Sequence, residues 1–151
     1  MKKLFFIVFV LFTIGTSAQT DNPKFDKALA EKLGADEYGM KQYVFVILKT
    51  GTNNIEDQAK RSELFRGHIE NIFRLEKEGK LVVAGPFMKN EKGYRGIFIF
   101  NVKTIAEAEA LIATDPAIQE KMLEAEMFEW YGSAALGEYL EIHEKIEQKK
   151  P

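Results

Sequence analysis

The sequence predicts an α+β fold of β-α-β-β-α-β order, and three observations carry that prediction. Four short apolar runs, residues 43–48, 81–84, 94–102 and 127–131, are set off by polar or glycine- and proline-containing stretches and read as strands. Two segments of helical period separate the first strand from the second and the third from the fourth, each with a capping residue nearby. Between the second and third strands stand only a Gly85-Pro86 break and a turn at residues 90–93. That order is the ferredoxin-like one, in which two helices cover one face of a four-stranded antiparallel sheet.

Taken in order, residues 1–18 read as a signal peptide rather than as part of the fold. Lys2 and Lys3 make a positive start, residues 4–14 are almost unbroken apolar, and Thr16 and Ala18 occupy the −3 and −1 positions of a peptidase site that leaves Gln19 first. The apolar run is short for a permanent membrane span. Residues 19–41 form an N-terminal extension, whose weak stripe of Phe25, Leu29 and Leu33 ends at Gly34 and is expected to lie against the domain. After the first strand, the loop at residues 51–54 offers Asn53 or Asn54 as the cap of a long helix ending near Glu78, with Gly79 placed to stop it in the left-handed conformation. Thr104 opens the second helix, residues 105–113, with Glu107 at capping-box spacing. The Asp115-Pro116 step starts a short helical piece reaching about residue 123, and a C-terminal amphipathic helix spans residues 137–148. The domain proper is residues 42–132, and residues 133–151 carry the C-terminal helix.

A sheet with one wet face alternates apolar and polar residues. Residues 43–48 and 97–100 do not alternate, so both faces are expected to be covered. The second face would meet the same sheet of another copy, giving a homodimer about a two-fold axis that closes into a dimeric α/β barrel, unless the terminal helices cover it within one chain.

Composition narrows the function. Removing the leader leaves 19 basic against 23 acidic residues, a formal charge of −4, which argues against nucleic acid as a partner. There is no cysteine, so an exported chain must take its stability from packing rather than disulfides, and neither thiol chemistry nor a lipid anchor on cysteine is open to it. The expectation is periplasmic or secreted, with no membrane attachment after cleavage. Two histidines 75 positions apart, without paired ligand spacing, give no metal site, and no glycine-rich phosphate loop points to a nucleotide cofactor, so no cofactor is expected.

The long helix carries the residue of greatest chemical interest. At 100° per residue, Phe65, His68, Ile69, Ile72 and Leu75 share one side, while Arg66, Glu70, Arg74 and Glu78 fall mostly on the other. An imidazole turned inward needs a partner, because an unpaired buried polar group costs about 1–3 kcal/mol. It also titrates nearer neutrality than any other side chain, which suits a general acid or base.

His68, eleven residues ahead of Gly79, then Ala84-Gly85-Pro86, then a strand, a helix and Thr114-Asp115-Pro116, together resemble the YCII-related family across residues 43–131. The resemblance implies a dimeric ferredoxin-like fold and an active-site pair of the helix histidine and the aspartate before proline, which here are His68 and Asp115. A carboxylate on one ring nitrogen fixes the tautomer and leaves the other nitrogen to move a proton; no serine or cysteine nucleophile accompanies the pair. Structural readings stand beside each residue. His68 can be a core histidine bonded to a carbonyl, and Asp115 can simply cap the helix that Pro116 begins. Gly85 and Pro86 either end a strand or shape a pocket wall, and Arg95 is either an edge charge or the anchor of an anionic group. Two function classes follow: a proton-transfer enzyme, of isomerase or lyase type, acting on a small organic molecule, or a dimeric module that binds a small ligand or serves as scaffold without catalysis.

Overall fold

The computed structural model describes residues 22–149; the expected signal peptide and its cleavage point fall outside them. The chain runs α1 (Lys27–Leu33), β1 (Met40–Thr50), α2 (Gln58–Lys77), β2 (Leu81–Pro86), β3 (Tyr94–Phe100), α3 (Ile105–Ile112), α4 (Pro116–Gln119) and β4 (Leu123–Ser133). A 3-10 helix (Ala134–Tyr139) and α5 (Leu140–Ile146) follow. The sheet order is β2-β3-β1-β4, and each neighbouring pair is antiparallel. The α+β, ferredoxin-like expectation therefore holds.

Local chemistry explains the elements. Asp57 caps α2, its carboxylate accepting from the backbone N–H groups of Ala59 and Lys60 at 2.8 and 3.3 Å. The expectation of Asn53 or Asn54 fails because α2 begins only at Gln58, several residues past the loop, and Asn53 instead donates to the Glu120 carbonyl at 2.9 Å. Gly79, at φ +67°, closes α2 with paired bonds, from its own N–H to Glu76 and from Lys80 to Leu75. Thr104 and Glu107 form the reciprocal capping box. β1 and β4 run eleven residues each, longer than their apolar runs, because the ladder between them continues through polar positions from Met40 opposite Ser133 to Thr50 opposite Leu123. β2 includes Gly85 and Pro86: it is an edge strand, where a proline removes no ladder bond the sheet requires. The C-terminal amphipathic segment is split, its first part wound as the 3-10 helix.

Alternate residues of β1, Val44, Val46 and Leu48, pack with Phe98, Phe100, Leu75, Ala108 and Ile112 into the main core under the helices. The opposite face is covered only in part. Leu136 of the 3-10 helix packs on Tyr43, Val82 and Ile99, while Phe128 and Trp130 stay 45% and 39% exposed. α1 fully buries none of its residues, and Phe25 and Leu29 are exposed, but Leu33 is half-buried and α1 touches the 3-10 helix, so the extension lies against the domain only by its edge. The extension is tied down by polar contacts: the Tyr131 hydroxyl of β4 donates to Asp36, whose other oxygen accepts from the N–H groups of Tyr38 and Met40. That bond pushes Tyr131 up to about 12 and lowers the Asp36 carboxyl.

Candidate active site

The buried stripe of α2 is Leu64, His68, Asn71 and Leu75, at intervals of four, three and four. Phe65, which the sequence places on the inner side with His68, is 58% exposed. The discrepancy is one of helix phase: Leu64 faces the core, and that rotates Phe65 to its margin.

His68 Nδ1 lies 2.6 Å from Asp115 Oδ2, with the histidine 7% exposed and the aspartate fully buried. A carboxylate only accepts, so Nδ1 carries the proton of this bond and Nε2 is the nitrogen left for other chemistry. Asp115 Oδ1 accepts from the backbone N–H of Ala117 at 2.9 Å and so caps α4, with Pro116 in the first turn. Asp115 thus meets the imidazole with one oxygen and caps α4 with the other. The His68 ring stacks on Phe98 of β3, centroids 5.9 Å apart at 26°, and approaches Phe65 at 6.1 Å.

Two features of α2 bring the loop before α4 onto it. A Cβ on Gly67 would stand 2.7 Å from Pro116 Cγ, so only glycine permits this approach of the proline ring. Two turns further on, Arg74 Nη2 donates to Asn71 Oδ1 at 2.7 Å and to the Thr114 hydroxyl at 2.8 Å, while that hydroxyl sits 2.6 Å from the Leu111 carbonyl. Gly67, Asn71, Arg74 and Thr114 thus position Asp115, and sequence reading had assigned none of them to the site. A glycine inside a strong helical pattern was the available signal, since it costs roughly 1 kcal/mol relative to alanine and needs a packing reason. Arg74 carried no such signal, being drawn on the charged side.

Two open grooves lie beside the pair. The first, about 1130 Å³, runs between the start of α2 and the β2–β3 hairpin and is lined by Arg61, Phe65, Pro86, Lys89, Tyr94 and Arg95 among others. The second, about 370 Å³, runs between α2, β2 and α5 and includes Phe65, Gly85, Pro86, Phe98 and His143. Pro86 lines both grooves, Gly85 the second and Arg95 the first. His68 and Asp115 line neither groove, but the histidine ring is in contact range of Phe65 and Phe98, which do. Among the described residues, no cluster of three or more His, Cys, Asp or Glu is arranged for a metal ion, and no helix is long and apolar enough to cross a membrane.

No curated protein matches the chain. Among solved structures, the chain is similar to 5-chloro-2-hydroxyhydroquinone dehydrochlorinase from Burkholderia phenoliruptrix AC1100, solved in complex with 2,5-dihydroxybenzoquinone, at 15% identity and a TM-score of 0.44, over 58% of this chain and 92% of that one. The YCII-related domain matches residues 43–131, more than half of the sequence and every strand and helix that builds the His68–Asp115 contact. The chain belongs to the YCII-related family.

Proposed function

We propose that this chain is a small exported enzyme that uses His68 and Asp115 for proton transfer on a small organic molecule, an isomerisation or an elimination. The observation that carries the proposal is the buried 2.6 Å contact between imidazole and carboxylate, with the second carboxylate oxygen already held by the Ala117 N–H. In the forward step Nε2 takes a proton from a carbon acid, and the electron pair left behind moves into an adjacent carbonyl or double bond. Asp115 stabilises the imidazolium that forms. Return of the proton at another carbon completes an isomerisation; loss of a leaving group from the neighbouring carbon completes an elimination. Pro86 and Arg95 form the substrate-binding wall in this reading, and Gly85 adjoins Pro86 on the side of the second groove.

Residues 1–18 direct export to the periplasm or the medium, and the mature chain works as a homodimer paired through the half-open sheet face. A second copy suits that face because its centre, Phe45, Ile47, Ile97 and Phe128, is apolar, while Lys49 and Glu126 at its flank supply both signs of charge.

The second reading, a ligand-binding module without catalysis, is favoured by one observation: His68 lines neither groove. Solvent deuterium exchange separates the two. Wild-type protein is expected to catalyse exchange into the C–H positions of one or more members of a panel of small oxo and unsaturated acids, and His68→Gln to abolish that while remaining folded. Exchange retained in His68→Gln ends the enzyme reading.

A further inference from the structure

The two grooves that meet at Phe65 and Pro86 differ in charge. The first is lined by Arg61, Lys89 and Arg95 and by no aspartate or glutamate. The second is lined by Glu76 and Glu147 and by no lysine or arginine. The chain as a whole has 23 acidic residues against 21 basic ones, so an acid-free groove with three cations departs from the average surface. Among the described residues none of the three cations is in an ion pair; Arg61 reaches only the Glu56 carbonyl, at 3.3 Å. Their charge is directed at the groove rather than neutralised across the surface. The same groove is lined by Phe87 and Tyr94, 6.1 Å apart between centroids, and by Phe65, whose ring centroid is another 6.1 Å from that of His68.

We infer that the first groove is the substrate cradle and that it selects a small carboxylate with a flat apolar body. The carboxylate meets Arg61, Lys89 and Arg95; the body lies over Phe87, Tyr94 and Phe65, which directs its far end toward the histidine. Phe65, more than half exposed, lines that groove with its ring beside the histidine. The second groove repels such a molecule through Glu76 and Glu147, so the two grooves have separate roles. This inference rests on the proton-transfer reading for the use made of the bound molecule, but the binding itself does not depend on His68.

Benzoate and its neutral counterpart benzamide test it by NMR titration of the full mature chain. Benzoate is expected to shift the signals of Phe65, Phe87 and Tyr94, and benzamide to leave them in place. Arg61→Gln, Lys89→Gln and Arg95→Gln, all exposed changes, should each weaken benzoate about fivefold, and added salt should weaken it further. His68→Gln should bind benzoate as wild type does. Absence of benzoate shifts in wild type, equal response to benzamide, unchanged affinity in the three charge variants, or shifts confined to the second groove would each overturn the inference. Benzoate binding without any catalysed deuterium exchange leaves the cradle standing and removes the enzyme. Exchange lost in His68→Gln, with no charge dependence of binding, does the reverse.

Discussion

Asp115 has one oxygen on an imidazole and the other on a helix N-terminus, so its replacement removes two interactions that stabilise the fold through different groups. Loss of the cap costs about 1 kcal/mol, and an imidazole left unpaired in the core about 1–3 kcal/mol. Asp115→Ala is therefore expected to lower stability by about 2–4 kcal/mol in urea denaturation, and Asp115→Asn, which still caps, by less. A cost below about 1 kcal/mol for alanine would mean that His68 finds another partner. At this scale the sequence was legible in part. His68 and Asp115 were both visible, the first from an apolar stripe and the second from the step into proline, and the family resemblance paired them. Phe65 was misplaced because a 100° periodicity cannot choose between Leu64 and Phe65 as the core-facing neighbour; the burial of Leu64 decides it.

At the level of elements, the site exists because α2 and the start of α4 approach more closely than a side chain at position 67 allows. Gly67→Ala gains roughly 1 kcal/mol of helix propensity, yet must displace Pro116; overpacking of this kind costs about 1–3 kcal/mol. We expect no net gain in stability and a displaced Asp115, read as an altered His68 ring signal; an alanine variant more stable than wild type with that signal unchanged would contradict the close approach. The N-terminal extension offers a second test. Asp36, with its pKa lowered by the Tyr131 bond, contributes stability that is present above its ordinary value of 3.8 and lost as pH falls through the depressed value. Tyr131, raised to about 12, contributes stability that is present below its ordinary value of 10 and lost as pH rises through the raised one. Amide exchange of Met40 and Tyr38 should accelerate relative to the rest of β1 at both extremes, and Tyr131→Phe should remove both dependences. This tether could not be read from sequence, since its two residues are 95 positions apart and the local turn at Asp36 does not point to Tyr131.

Across the whole molecule, the non-alternating strands led to the expectation of two covered faces, and within the chain the face under the helices is covered while the other is covered only in part. What covers the second face was not legible, because 3-10 winding after β4 depends on how Leu136 meets Tyr43 and Val82 rather than on any periodicity. That helix covers one end and leaves Phe128 and Trp130 partly exposed. If the proposed homodimer forms there, Phe128→Asp places two charges in a shared apolar contact. Sedimentation should then show wild type as a dimer and the variant as a folded monomer. Monomeric wild type, or a dimer that tolerates Phe128→Asp, would remove this arrangement.

Ring-nitrogen NMR of His68 reads the state of the imidazole at the centre of the pair without a known substrate. The predicted result is a neutral-pH imidazole protonated at Nδ1, donated to Asp115, with an unprotonated Nε2 that changes when Asp115→Asn removes the carboxylate. An Nε2-protonated ring, or a ring indifferent to Asp115→Asn, would contradict the pair as a centre for proton transfer.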